Sequence, residues 1–210
     1  MDGVVLRTIL LIVGAYLVGS VPSGVLVARL TGGRDPRTVG SGRTGGTNAY
    51  RAMGAGRGLL TGILDGFKGL VPVLVARFLG GDDFAQALVG VAAVVGAWRS
   101  VFLGFHGGRG VATGIGAMVA IQPLVVVICA PVFLGVIALS RYVSLGSLVG
   151  SASAAGTILL LLILGVITSP APLVYGIGAA IIVWLAHADN IDRLLHGRER
   201  KFSFGDRGNR

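Results

Sequence analysis

The chain has 210 residues, 53% of them hydrophobic, and a mean hydropathy of +0.83, which excludes an ordinary soluble domain with its apolar share of roughly 45–50% and indicates a multi-pass membrane protein. Its formal net charge of +9 is concentrated in a few places and points to an anionic partner, a phosphorylated substrate or the lipid surface, rather than to nucleic acid. The single cysteine, Cys129, lies in an apolar run, which excludes an internal disulfide and reads as a small hydrophobe.

Residues 4–28 form the first apolar stretch, long enough for the roughly 20 residues that a crossing needs. Asp2 and the lack of a small-x-small cleavage site make it a retained span rather than a signal peptide. Arg7, near its start, is expected to snorkel outward. Residues 40–51 follow as a basic, hydroxyl-bearing glycine loop, Gly-Ser-Gly-Arg-Thr-Gly-Gly-Thr-Asn-Ala-Tyr-Arg. Gly40, Gly42, Gly45 and Gly46 allow successive backbone N–H groups to point inward, and Ser41, Thr47, Arg43 and Arg51 supply hydroxyls and fixed positive charge, a cradle suited to a phosphate ester. Gly40, Gly42 and Gly45 also spell G-x-G-x-x-G, but no apolar strand precedes them, and Gly46 stands where a Walker A loop requires lysine, so both nucleotide motifs are rejected. The plainer reading is a cytoplasmic loop whose arginines serve only topology.

A second span is expected over residues 59–79. It carries Asp65 and Lys68 one turn apart, able to pair across helices or to serve the site. Gly58, Gly62 and Gly66 give the four-residue spacing of close helix packing. A turn at residues 80–83 leads to a span over residues 84–98. The next glycine loop, residues 104–110, includes Gly107, Gly108, Arg109 and Gly110 and runs straight into the apolar residues 111–121, so its free N–H groups would stand at a helix N-terminus that favours anions. That helix would be only ~17 Å long, a half-span ended by Pro123. Residues 124–139 return across the membrane with a kink expected at Pro131. Residues 141–147 read as a polar corner, residues 148–167 and 173–186 as the last two spans, and residues 193–210 as a basic tail.

Six basic residues lie between Arg29 and Arg57, two are Arg99 and Arg109, one is Arg141 and six are in the tail, fifteen of the eighteen in all. The positive-inside rule then predicts an all-α, seven-transmembrane-helix bundle, one helix short, with the N-terminus outside and the C-terminus cytoplasmic. Both glycine loops, the corner and His187 fall at the cytoplasmic face. The whole chain, residues 1–210, reads as one membrane-embedded unit.

These features suit an enzyme that handles two phosphorylated molecules, at least one with a lipid chain. No His, Cys or carboxylate spacing of a metal site is present, and no cofactor is expected. No Ser–His–Asp relay is legible. His187 and Asp192 have an H-x4-D spacing, but five positions on a helix place them about 140° apart. Two rival classes are a small transporter or channel subunit, which would show an internal repeat, and an acyltransferase using another donor.

A set of short motifs narrows this further: Gly19-Ser20-Val21-Pro22, residues 39–42, Thr47-Asn48, Arg51, Asp65 with Lys68-Gly69, residues 102–105, 107–113 and 141–147, and His187 with Asn190-Ile191 and Arg193-Leu194. Together they resemble the bacterial acyl-phosphate:glycerol-3-phosphate acyltransferase family usually called PlsY. The resemblance implies a seven-helix enzyme of the bacterial cytoplasmic membrane that moves a fatty acyl group from acyl phosphate to the sn-1 hydroxyl of glycerol 3-phosphate, giving lysophosphatidic acid. It implies site residues at Ser41, Arg51, Arg109, Ser147, His187 and Asn190, and suggests the enzyme that makes acyl phosphate as a candidate partner. The sequence departs from the family pattern at Arg43, Thr44, Gly46, Ala97, Ser100 and His106, and at Arg109, where a planar fork replaces a point charge. On this reading Arg51 and Arg109 clamp the phosphate of glycerol 3-phosphate, and Ser147 and Asn190 orient its hydroxyls. The loop 40–47 holds acyl phosphate, with Asn48, Lys68 and the glycines of residues 107–110 as further substrate-binding candidates. His187 is the general base or a hydrogen-bonding partner.

Overall fold

The computed structural model describes residues 3–202; Arg207 and Arg210 of the basic tail lie outside them. Among the described residues the fold is all-helical: α1 (Gly3–Ser20), α2 (Ser23–Leu30), α3 (Gly46–Met53), α4 (Ala55–Phe78), α5 (Asp83–Trp98), α6 (Val111–Ile121), α7 (Pro123–Ser140), α8 (Val143–Ile163), α9 (Ala171–Ala186) and α10 (Ala188–Leu195). Five segments are long and apolar enough to cross a membrane, or six if the bent pair α9–α10 is taken as one span. This is a multi-pass membrane protein. α4 and α5 hold the middle. α1 packs on both, α6 fits against α4 and α5, α9 packs on α5 and α8, and α7 lies against α8.

The first expected span, residues 4–28, is broken. Val21 and Pro22 are not helical, and Pro22 adopts φ −84° and ψ 74°, because proline lacks an N–H and disfavours α geometry in the residue before it. Carbonyls freed at such a break need donors wherever water is scarce. The Ser100 hydroxyl donates to Ser20 O, and the Lys68 ammonium donates to Val21 O at 2.8 Å. Arg7 reaches the far end of α4. Its guanidinium donates to Leu79 O (2.7 Å) and Gly80 O (2.8 Å) and so satisfies the orphan carbonyls at the C-terminus of α4.

Two further boundaries differ from expectation at α8. It begins at Val143, so residues 143–147 are helix rather than corner. Ser147 donates its hydroxyl to Val143 O at 2.9 Å and Gly146 lies against Ile137; small residues that read as turn formers in solution serve close helix packing in a membrane protein. α8 ends at Ile163, where Gly165 at φ +68° closes it, the usual role of glycine just past a helix end. α7 continues as one helix through Pro131.

The glycine spacing on α4 divides into three functions. Gly58 backs against Tyr50 of α3, and Gly66 faces α6, where a Cβ on Gly116 would overlap Gly66 O. A Cβ on Gly62 would meet nothing within 4 Å, because that position opens onto the cavity described next. Tyr175 of α9, fully buried, pins α9 to α6 through its hydroxyl on Gly114 O at 2.7 Å.

Candidate active site

At the end of the bundle where α3, the first turns of α4, α6 and α8, the α9–α10 junction and residues 199–200 meet lies a cavity of about 510 Å³. Ser41, Gly46, Thr47, Asn48, Arg51, Arg109, Ser147, His187 and Asn190 line it, so nine of the residues singled out in the sequence converge from four separate stretches. Gly40, Gly42, Gly45 and Gly107 do not line it. Gly108, Gly110 and Lys68 border a separate, roughly water-sized space of about 20 Å³ beside Arg109. Lys68 is paired with Asp65 at 2.7 Å on α4 and donates to Val21 O, which ties α4 to the break after α1, while Asp65 also lines the large cavity, so the pair both cross-links helices and borders the site.

The first glycine loop is held from within. Gly40 and Gly42 take φ +52° and +69°, conformations open to glycine at no steric penalty. The buried amide of Asn48 donates to Pro36 O, Val39 O and Arg43 O and accepts from Ser41 N. Gly42 N donates to Val39 O. These N–H groups therefore serve the loop and not a guest, and Asn48 is an organiser of the loop. What the loop presents to the cavity is the side chains of Ser41 and Arg43 and the start of α3 at Gly46 and Thr47.

The second loop behaves alike. Gly107 N donates to Trp98 O at 3.0 Å and Gly108 N to Ala97 O at 2.8 Å, since the C-terminal carbonyls of α5 need partners. The expected free N–H groups are thus occupied at these two residues. Arg109 and the first turn of α6, through Val111 and Ala112, face the cavity, and the positive ends of α3 and α6 both meet it.

The α9–α10 junction bends by 63° and carries the remaining groups. His187 is buried, with Nδ1 2.7 Å from Val183 O; the carbonyl must accept, so Nδ1 bears the proton and Nε2 is the ring's acceptor. Burial, and then the Arg109 charge, push its pKa down to about 4. Asp192 is turned away and pairs with His196 and Arg198. Asp189 had no assigned role in the sequence, yet it accepts from Arg109 at 3.0 Å and from Arg193 at 3.1 Å. Burial acts to raise its pKa, but the two arginines outweigh it and hold the carboxyl below its usual range. Arg193 also donates to Glu199 at 2.9 Å, and Glu199 accepts from Asn190 (2.7 Å) and Ser144 (3.1 Å). Glu199 was missed because it reads as part of a basic tail; its isolation as the acidic residue among Arg198, Arg200 and Lys201 was the available signal. Beyond it, Phe202 N donates to Arg141 O and its ring rests on Tyr50, centroids 5.0 Å apart, which draws this segment across the cavity.

Two atoms at the site are buried and have no partner among the described residues: Arg109 Nε, a donor, and Asn190 Oδ1, an acceptor. A second, apolar cavity of about 130 Å³ runs between α6, α7, α8 and α9 and shares Val111, Ile115, Phe133 and Ser147 with the polar one. The site therefore joins a basic basin to a lipid-like groove.

A family model described as glycerol-3-phosphate acyltransferase matches residues 9–197. The chain belongs to this family. It is 43% identical over 197 residues to the glycerol-3-phosphate acyltransferase of Geobacter sulfurreducens, covering 94% of this chain and 98% of that one. It is 46% identical over 187 residues to that of Thermus thermophilus, covering 89% and 91%. Among solved structures it is similar to PlsY, an integral membrane glycerol 3-phosphate acyltransferase. The glycerol 3-phosphate form gives a TM-score of 0.85 at 39% identity over 94% of this chain and 96% of that one. The lysophosphatidic acid form gives 0.82 at 36% identity over the same shares.

Proposed function

We infer that this glycerol-3-phosphate acyltransferase takes its acyl group from an acyl phosphate and delivers it to the sn-1 hydroxyl of glycerol 3-phosphate, with lysophosphatidic acid and inorganic phosphate as products. The observation that carries the reading is the pair of buried, unpartnered atoms at one cavity, Arg109 Nε and Asn190 Oδ1. Buried polar atoms are rarely left unsatisfied. A phosphate supplies the acceptor that Arg109 lacks, an alcohol supplies the donor that Asn190 lacks, and glycerol 3-phosphate carries both. PlsY, the structural relative, is known in forms with glycerol 3-phosphate and with lysophosphatidic acid, a substrate and a product of this reaction.

The shape of the site supports this choice of donor. An acyl phosphate has an anionic head for Ser41, Arg43 and Thr47 and an apolar tail for the groove that begins at Phe133 and Ser147. Arg51 and Arg109 hold the phosphate of glycerol 3-phosphate, and Ser147, whose proton goes to Val143 O, accepts from a substrate hydroxyl. The hydroxyl oxygen attacks the acyl carbon, the bond from that carbon to the phosphate oxygen breaks, and the departing phosphate takes the hydroxyl proton. Neutral His187 helps to orient glycerol 3-phosphate through Nε2; with a pKa near 4 it is too weak a base to hold the proton. Positioning and charge therefore supply the rate, aided by a mixed anhydride that is itself a good acyl donor.

The same reading extends to topology. Seven crossings by α1 and α4–α9 within one unit of residues 1–210, N-terminus outside and the cavity facing the cytoplasm of a bacterial cell, are supported by two features. Arg7 of α1 reaches the C-terminus of α4 at one end of the bundle, while the site arginines gather at the other. The test is to supply the purified protein in detergent with glycerol 3-phosphate and either an acyl phosphate or an acyl thioester. The expected result is lysophosphatidic acid from the acyl phosphate alone, with one phosphate released per product; equal turnover of the thioester would overturn the donor assignment.

A further inference from the structure

Glu199 is nearly enclosed, its side chain 7% exposed, and each of its oxygens is engaged. Oε1 accepts from Asn190 Nδ2 at 2.7 Å and from Ser144 Oγ at 3.1 Å, and Oε2 accepts from Arg193 Nε at 2.9 Å. The consequence falls on Asn190. An asparagine amide can be turned either way, with its oxygen and nitrogen exchanging places, and only its neighbours decide which. A carboxylate can only accept, so it draws the NH2 of Asn190 toward itself; the reverse orientation would set two acceptor oxygens face to face. Asn190 Oδ1 is thereby left pointing away from Glu199, buried and without a partner, in a residue that lines the substrate cavity beside His187 and Ser147.

We propose that Glu199 is a positioning residue that fixes the polarity of the Asn190 amide, so that Oδ1 accepts a hydrogen bond from the hydroxyl of glycerol 3-phosphate that becomes acylated. The inference rests on the reading that glycerol 3-phosphate occupies this cavity. Glu199 touches no reacting atom and acts through Asn190. Its position is set in turn by Arg193, which also grips Asp189, the partner of Arg109. The group that recognises the hydroxyl is thus tied through alternating charges to the group that recognises the phosphate.

The test compares two ligands in two variants. In Glu199→Gln, Arg193 claims the carbonyl oxygen of the new amide, whose NH2 then faces Asn190 and turns the Asn190 oxygen inward, presenting a donor to the substrate hydroxyl. The readouts are the KM for glycerol 3-phosphate and the inhibition constant of its analogue lacking the sn-1 hydroxyl. The unaltered protein should prefer glycerol 3-phosphate. In Glu199→Gln its KM should rise roughly tenfold, as for loss of one buried hydrogen bond, while the analogue should bind within about twofold as before. The exchange variant, Asn190→Asp with Glu199→Gln, restores an acceptor toward the substrate and should recover the preference. A preference retained in Glu199→Gln, or a parallel weakening of both ligands that the exchange does not reverse, would overturn the proposal and leave Glu199 a structural carboxylate. If the single variant fails to fold, the exchange variant decides by keeping or losing the preference. Failure of the unaltered protein to bind glycerol 3-phosphate would instead overturn the functional reading itself.

Discussion

His187 shows how little of a residue's chemistry its identity conveys. In sequence it could be a base titrating near 6.5 or an orienting group. In the structure Val183 O sets its tautomer and burial with the Arg109 charge takes its pKa to about 4. The ring is consequently neutral above about pH 5 and does not change state between pH 5.5 and 8. The rate in that interval should carry no rising limb from His187, and His187→Gln should raise the KM for glycerol 3-phosphate more than it lowers kcat. A limb centred near pH 6.5 that vanishes in His187→Gln would contradict this. Arg109 should behave differently. Arg109→Gln removes the charged donor and leaves Asp189 with Arg193 alone, so kcat/KM for glycerol 3-phosphate should fall by roughly 10- to 100-fold, as for loss of a charged hydrogen bond. A loss of less than about threefold would return Arg109 to a topological role. Ser41, Arg51, Arg109, Ser147, His187 and Asn190 were legible as candidates because their residue types and motifs stand out in the sequence, and the structure gathers them at one cavity. Asn48 and Lys68 were legible as polar but not in purpose, because their partners are backbone carbonyls of Pro36, Val39, Arg43 and Val21, whose availability depends on where helices break.

Helix boundaries followed hydropathy where proline or a capping residue stands at the edge. α6 and the C-terminus of α5 lie where the apolar runs end, and Asp82 caps α5 by accepting from Ala85 N at 2.8 Å. They departed from it where polarity and geometry disagree. The Pro22 break was hidden in a continuous apolar run, and the start of α8 was hidden in a run of serine and glycine that looks like a loop. The second glycine loop was located correctly, and the first only as far as Gly45, residues 46–51 being the start of α3; the destinations of the loop N–H groups depend on contacts with α5 and Asn48 that no local pattern displays. The break gives the Asp65–Lys68 pair its structural weight. With side chains only 13% and 10% exposed, Lys68→Met would leave a buried carboxylate unpaired and Val21 O without its donor. It should destabilise the protein by roughly 3–5 kcal/mol, read as a lowered midpoint of thermal denaturation in detergent. A midpoint shift no larger than that of the exposed Lys201→Ala would show that the pair carries no such load.

The asymmetry of basic residues set the expected orientation of the whole bundle, and the site groups gather at the end rich in arginine. With Cys129 replaced by alanine, a cysteine at the exposed Asp83 should react with a membrane-impermeant thiol reagent in intact cells, and one at the exposed His196 only after the membrane is opened. Labelling of His196→Cys from outside would reverse the orientation. In the proposed reaction the cavity acts as a unit, its basic basin and apolar groove holding both substrates at once so that the acyl group passes directly between them. Among the described residues the His187 ring nitrogen Nδ1 bonds to Val183 O, and no hydrogen bond joins His187 to Ser41, so His187 does not activate Ser41 as a nucleophile. The most direct measurement is phosphate release from acyl phosphate by purified protein without glycerol 3-phosphate, followed by the mass of the intact chain. Direct transfer predicts no burst of phosphate and no added acyl mass until glycerol 3-phosphate is supplied. A burst equal to the amount of enzyme, with the acyl group found on Ser41, would contradict it.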